Sequence, residues 1–546
     1  MRTFCIITLG CKVNQYESEQ IATVLRSRGL IAVRDPADAD LRIVNTCSVT
    51  VDAASKSRQS VRRMTRLPVL TVAPAGVSGT TTIGRAVSAK PQLLTCDRPL
   101  GQHSLPQSPA AGTESPVQHV VVMGCWATSN KPDAQSLPGV SAVIGHDDDV
   151  AASLNDLLDQ WTEPCGTRVS PMASVPRLDE TTDKNICPAE AADKNACPAG
   201  TTRLPLLAER QTHRQRALLK IQDGCDAHCT YCIIPRLRTR PWSKPVEQAV
   251  AEARRLVDAG HQEIVLTGIF LGAYGQSTTL RRRQQEGRQS RLSLATGAGD
   301  IPVQEDRHSC LSPDAGLSPL ARLIDALCTG VPALRRLRLS SLEPGDLSGD
   351  LLAVLRSHPQ ITPHFHVPLQ SGSDAILRRM NRQYTRDDFL AMIDQVRAAF
   401  DRPAFTTDII VGFPGETDAE FERTLAVVAH ARFIHIHAFP FSPRPGTAAA
   451  RWGKDFVRDP LVNERIHTLS DHAAVDSLEF RRQFIGQTAS VMLEPGEGPV
   501  RFGRCERYFS VHFDGGDMPA GRCVDVRIDR VTPARTHGSL IGGSRP

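Results

Sequence analysis

The cysteines carry the chemistry of this chain, and three of them are tightly grouped. Cys225, Cys229 and Cys232 form a C-x₃-C-x₂-C run, Cys225-Asp226-Ala227-His228-Cys229-Thr230-Tyr231-Cys232, directly after the apolar LLKIQ and the turn Asp223-Gly224. Three thiolates on one short loop suit three irons of a [4Fe–4S] cube and leave the fourth iron open. An open iron is what a cluster needs to bind a substrate or cofactor rather than only pass electrons. Zinc ordinarily takes four ligands in two pairs, and no second pair stands beside this run.

A second set emerges only through the elements that carry it. Cys11 follows the apolar run Thr3–Leu9, Cys47 follows Leu41–Asn45, and Cys125 follows QHVVVM, Gln118–Met123. If these runs are parallel strands, all three cysteines lie outside their carboxyl ends, where open α/β sheets bind ligands. Gly10 and Gly124, each just before a cysteine, allow close backbone approach. Any one of these cysteines alone reads as a small buried hydrophobe; three at equivalent strand ends read as a second metal cluster.

The elements that must position these residues alternate. Strands Thr3–Leu9, Leu41–Asn45, Gln118–Met123 and Ala142–Ile144 with helices Tyr16–Arg28 and Val51–Met64 predict an α/β, doubly wound parallel sheet over residues 1–160, interrupted by a Ser/Thr/Pro/Gly-rich insertion at about 67–116. Residues 161–210 read as a linker in which DKNICPAE recurs as DKNACPAG; its Cys187 and Cys197 fit a duplicated linker better than a metal pair. Over residues 211–486, strands Leu218–Gln222, Glu263–Thr267, Arg336–Ser340, His364–Leu369, Thr406–Val411 and Ile434–Phe439 alternate with helices, with an insertion at about 276–316. Six units are too few for a closed eight-stranded barrel and fit an open (β/α)₆ barrel. Ser318 with Pro319, and Thr417 with Glu420, read as helix caps. From 487 to 546, short alternations between glycine-rich turns predict a small all-β barrel.

Fifteen cysteines in 546 residues, without a secretory leader or an apolar run of the roughly eighteen residues that spans a membrane, suggest a soluble, cytoplasmic chain whose cysteines bind metal. The net charge of +5 is weak, but Thr201–Lys244 holds nine Lys/Arg against three Asp/Glu. RFGRCERYFSVHF interleaves Arg501, Arg504 and Arg507 with Phe502, Tyr508 and Phe509. Arginines neutralise phosphates while aromatics stack on splayed bases. Arg501, Arg504, Arg507 and Tyr508, with Arg236, Arg238 and Arg240, are the candidate RNA contacts.

The segments MRTFCIITLGCKVNQYESEQ, NTCSVT, VMGCWA, DGCDAHCTYCIIPRLRTR, EIVLTGIFLGAYG, LRLSSLEP, HFHVPLQSGSDAILRRMNRQY, TDIIVGFPGET and HAFPFSPRPGT closely resemble the methylthiotransferase family of radical S-adenosylmethionine enzymes. The end of the chain is similar to the RNA-binding TRAM domain. The resemblance implies that Cys225, Cys229 and Cys232 hold the [4Fe–4S] cluster that cleaves S-adenosylmethionine. It also implies that Cys11, Cys47 and Cys125 hold a second, sulfur-carrying [4Fe–4S] cluster. Thr267, Gly268, Ser341, Glu343 and Gln370 match motifs that line the cofactor pocket. LGCKVNQYESE resembles the MtaB branch, which acts on threonylcarbamoyladenosine in tRNA. Branches acting on isopentenyladenosine or on a ribosomal-protein aspartate tend to read GCQMN and GCPKN there. A flavodoxin- or ferredoxin-type electron donor, no membrane partner and a monomer are expected. PRLRTRPWS departs from the family's usual PYARGRSRS, which puts the loop after the cluster in question.

Overall fold

A computed structural model describes residues 1–67, 118–162, 204–207, 209, 214–275 and 316–542. The three insertions, with Cys187 and Cys197, lie outside the described residues. Strands β1 (Thr3–Thr8), β2 (Ile31–Ala32), β3 (Leu41–Thr46), β4 (His119–Gly124) and β5 (Ala142–Ile144) form one parallel sheet in the order β2-β1-β3-β4-β5. All six residues of β3 are buried, as expected of a central parallel strand covered on both faces. The order reverses between β1 and β3, so the carboxyl ends of these two strands flank the crevice where such sheets bind ligands. Helix α1 (Lys12–Ser27) begins immediately after Cys11, four residues before the expected start, because Cys11 itself occupies the cap position. Helix α2 (Val51–Arg66) follows Cys47, and α3 (Cys125–Ser129) begins with Cys125.

The second region contains β6 (Ala217–Lys220), the clip β7 (Gln222–Asp223) with β8 (Trp242–Ser243), β9 (Glu263–Thr267), β10 (Arg336–Leu339), β11 (His364–His366), β12 (Ala404–Val411) and β13 (His435–Pro440). Two three-stranded parallel sheets, β10-β9-β6 and β11-β12-β13, are joined by parallel bridges Leu337↔Ile361 and Ser341↔His366. Six parallel strands therefore follow one another in chain order. Strand β11 ends at His366 rather than Leu369. Pro368 has no N–H to give the ladder, and Gln370 turns into the left-handed region at φ 61°. Helix α1 docks on this region: Tyr16 is buried in its core, donates to Glu252 at 2.7 Å and accepts from Lys244 at 2.9 Å.

Strands β14 (Thr488–Leu493), β15 (Val500–Cys505), β16 (Ser510–Asp514), β17 (Cys523–Val531) and β18 (Thr536–Leu540) close into a barrel in the order β14-β15-β16-β18-β17. It packs on the second region through Arg338 Nη1, which donates to the Glu506 carbonyl at 3.2 Å, and Cys523 N, which donates to Gln262 at 2.7 Å.

Two capping expectations are corrected, and one helix was not expected. Ser318 precedes its helix, Pro319–Gly330, but its side chain makes no capping bond; its backbone N–H is held by Asp350 at 2.8 Å. Thr417 caps its helix, but Glu420 does not return the bond; its carboxylate binds Ser373 and Arg423 instead. The 24-residue helix Asp459–Arg482 had no counterpart in the sequence reading.

Candidate active site

The C-x₃-C-x₂-C loop is held from below by backbone pairing and one side-chain bond. Thr230 N–H donates to the Met380 carbonyl at 3.0 Å, Ala449 N–H to the Thr230 carbonyl at 2.9 Å, and Asn381 Nδ2 to the His228 carbonyl at 3.0 Å. His228 takes φ 52°, a left-handed turn that folds the loop back on itself. Two N–H donors reach the sulfurs: Ala227 N stands 3.4 Å from Cys225 Sγ, and Arg382 Nη1 stands 3.3 Å from Cys229 Sγ. Burial pushes the Cys225 and Cys232 thiols up to about 12, and each also feels the Cys229 thiol. Thiols supplied with N–H donors suit iron, which binds thiolates and offsets their charge.

Arg382 was not anticipated. Its side chain is 7% exposed and links Cys229 to Glu343, to which Nη2 donates at 2.7 Å. Burial alone would lower its pKa, but Glu343 and the phenols of Tyr384 and Tyr231 hold it well above the usual value. It sits in MNRQY, a segment already singled out, so the signal was present. Of the expected cofactor residues, Thr267 is buried at the end of β9, with Gly268 next to it against Gln222. Glu343 joins the cysteine loop through Arg382. Gln370 carries strained backbone and a buried Oε1 without a hydrogen-bond partner. Ser341 is exposed and bridges to His366.

The second cysteine set also meets. A Cβ at Gly10, where φ is +101°, would lie 2.8 Å from Cys47 Cβ and 2.9 Å from its sulfur, so the loops after β1 and β3 touch. Asn14 fastens both: its Nδ2 donates to the carbonyls of Leu9 and Thr46 at 3.0 and 2.9 Å. Its Oδ1 lies 3.7 Å from Cys11 Sγ and 4.0 Å from Cys125 Sγ. Burial pushes the Cys47 thiol up and the Cys125 thiol to about 12, with Cys11 adding to both. Among the described residues no three His, Cys, Asp or Glu side chains are grouped as a single metal ion requires. A cubane takes each cysteine on a different iron, so its ligands need not converge on one point as those of a single ion do.

Between them lies a buried charge network. Arg238, 3% exposed, donates to Glu17 at 2.7 and 2.9 Å and to Asp223 at 2.8 and 2.9 Å, and reaches Asn14 at 3.2 Å. Lys220 bridges the same two carboxylates. Arg238 is therefore not in an exposed basic strip; Arg236 and Arg240 are. Arg501 is buried and donates to the Gly496 carbonyl, and Arg507 is bound by Asp401 and Glu506, so neither faces outward as an RNA contact would.

Arg504 and Tyr508 remain, and they line a cavity of about 1020 Å³. Cys11 and Lys12 form one wall, Ser341, His366 and Asp408 another, and the C-terminal barrel the third. Along β11, β12 and β13 alternate residues His364, His366, Thr406, Asp408, His435 and His437 face it, as strand periodicity requires. Seven Lys or Arg side chains line it against two carboxylates, Asp408 and Glu494.

Residues 219–428 match the Radical SAM superfamily, and residues 3–83 match Uncharacterized protein family UPF0004. Over 99% of this chain and 97% of the relative, the sequence is 30% identical to the threonylcarbamoyladenosine tRNA methylthiotransferase MtaB of Bacillus subtilis. The chain belongs to the methylthiotransferase family of radical S-adenosylmethionine enzymes. Two further relatives, each 29% identical over 99% of the chain, divide by name. One is MtaB of Chlamydia pneumoniae, covered over 98% of its length; the other is the tRNA-2-methylthio-N(6)-dimethylallyladenosine synthase of Maricaulis maris, covered over 97%. Membership of this radical enzyme family implies a [4Fe–4S] cluster and S-adenosylmethionine. Among the described residues no helix of the methylthiotransferase is long and apolar enough to cross a membrane.

Proposed function

We propose that the protein methylthiolates threonylcarbamoyladenosine at position 37 of tRNA, giving the 2-methylthio derivative with two [4Fe–4S] clusters and two uses of S-adenosylmethionine. The observation that carries this reading is one cavity that opens onto Cys11, the strand ends at Ser341 and the Arg504–Tyr508 turn at once. A nucleoside entering there meets Cys11 of the second cysteine set, the faces of β10 to β13 and a basic, aromatic wall together.

Residues 1–160 would act as the sulfur-donating domain, 211–486 as an open (β/α)₆ radical barrel and 487–546 as a TRAM-like RNA clamp. When bound, the cluster on Cys225, Cys229 and Cys232 would supply the electron that cleaves S-adenosylmethionine, and the cluster on Cys11, Cys47 and Cys125 would supply sulfur. The chain's own side chains do the positioning. Arg382 ties Cys229 to Glu343, Gln370 offers its unpartnered oxygen to the cofactor, and Thr267 and Gly268 shape the floor. Arg236 and Arg240 neutralise phosphates, and Tyr508 offers a ring to a base.

Within the family, LGCKVNQYESE supports the threonylcarbamoyl branch over dimethylallyladenosine and over a ribosomal-protein aspartate. A protein that binds RNA through structural or redox-sensing clusters would bind tRNA without ever cleaving S-adenosylmethionine. The test is turnover by the reconstituted, reduced enzyme of tRNA bearing threonylcarbamoyladenosine, tRNA bearing isopentenyladenosine, and ribosomal protein. Methylthiolation of the first alone supports the reading; product only on the protein overturns it.

A further inference from the structure

The large cavity holds positive charge that cluster binding and radical formation leave unused. Arg338 is 3% exposed; Nε donates to Glu263 at 2.8 Å and Nη1 to the Glu506 carbonyl, while Nη2, also buried, has no partner. Lys12 opens into the same space and makes no ion pair among the described residues. Arg504 donates to the Tyr508 carbonyl at 2.9 Å and likewise has no carboxylate among the described residues. Arg216, Arg338 and Arg504 lie over one aromatic ring, and Lys12 lines the cavity beside it. Tyr508 adopts φ 76°, stacks on His364 at 4.6 Å, and carries the guanidiniums of Arg338 and Arg504 at 4.9 and 4.6 Å. The left-handed residue is costly for tyrosine, and the turn is fixed by Tyr508 N–H on Cys505 and Cys505 N–H on Phe509.

We propose that Lys12, Arg338 and Arg504 around Tyr508 form a carboxylate-binding subsite that reads the acid group of the substituent on the substrate adenosine. The inference rests on the tRNA-nucleoside reading above and deepens it. A hydrocarbon substituent in this place would strip water from cations and give nothing back, whereas a carboxylate satisfies the idle Arg338 Nη2 and Lys12. A site built to bind a polar group rejects the analogue that lacks it more strongly than an apolar pocket rejects an extra methylene. Burial and the neighbouring cations lower the pKa of His364, and burial does the same for His435 and His437, so the imidazoles stay mostly neutral at pH 7. The attraction for an anion comes from the lysine and arginines. Asp408 is engaged with His366 at 3.3 Å, and Glu494 with Arg216 at 2.9 Å.

The test uses two anticodon stem-loop RNAs, one bearing threonylcarbamoyladenosine and one bearing its threonine amide. Each is titrated with full-length, cluster-loaded enzyme as wild type, Lys12→Met, Arg504→Gln and Lys12→Arg, compared at equal iron content. The wild type should bind the acid roughly tenfold or more tighter than the amide. That ratio should fall towards one in Lys12→Met and Arg504→Gln and return in Lys12→Arg. An unchanged ratio overturns the subsite. Equal loss for both RNAs also overturns it and assigns the cations to backbone phosphates. Should the wild type methylthiolate neither RNA, the functional reading fails, while the affinity ratio still reports on the subsite.

Discussion

Arg238 and Arg240 lie two residues apart in one basic run, yet the structure gives them opposite work. The Arg238 guanidinium is 3% exposed and donates to both Glu17 and Asp223. Replacing it by alanine leaves two largely covered carboxylates, Glu17 12% and Asp223 22% exposed, sharing only Lys220, whose side chain is 9% exposed. Removing one partner of a buried ion network costs about 3–5 kcal/mol, because the remaining charges keep their desolvation penalty. For a unit of this size that lowers the unfolding midpoint by roughly 6–20 °C. Arg240 is exposed; its alanine variant should stay within about 0.5 kcal/mol. That variant should instead flatten the salt dependence of tRNA binding by roughly 0.7–0.9 in the log–log slope for one lost phosphate contact. Differential scanning calorimetry and salt-titrated tRNA binding on both variants separate the roles. If Arg238→Ala melts like wild type but loses a phosphate contact, the buried-network argument is wrong.

Other consequences follow from the same geometry. Cys229→Ala should abolish 5′-deoxyadenosine formation, whereas Cys47→Ala should keep it and stop sulfur insertion; methylthio product from the latter would remove Cys47 from its role. Gly124→Ala should selectively lose the iron held by the second cysteine set, since a Cβ at φ +90° would sit 2.5 Å from the Thr46 carbonyl; full iron content would contradict this. For Glu17 and Asp223 burial raises the carboxyl pKa values, but Arg238 and Lys220 outweigh it and hold them below the ordinary 4.5 and 3.8. Folded values lower than unfolded ones mean stability that is complete above the unfolded values and fades as pH falls through the folded ones. Acid unfolding followed by fluorescence should therefore begin at higher pH in Arg238→Ala than in wild type; an identical onset refutes the coupling.

Both cysteine sets were legible in the sequence for different reasons. Cys225, Cys229 and Cys232 declare themselves by spacing. Cys11, Cys47 and Cys125 are far apart and become a group only because parallel strands deliver their carboxyl ends to one edge. What hydropathy missed is where burial runs through polar atoms. Helix Asp459–Arg482 buries Arg465 and Arg481 beside Val462, Leu469 and Ala473, so its inner face does not read as apolar. Arg238, Arg501 and Arg507 look the same in sequence as Arg236, but an arginine's partners are set by distant elements: Glu17 lies on α1 and Asp401 before β12. Arg382 and Asn14 are ordinary polar residues until the fold brings them to the sulfurs.

The most direct test is mass spectrometry of tRNA nucleosides from cells with and without this gene. The account predicts that 2-methylthio-threonylcarbamoyladenosine alone disappears and threonylcarbamoyladenosine accumulates in its place. Persistence of that nucleoside, with loss of methylthio-isopentenyladenosine or with no change in either, would contradict it.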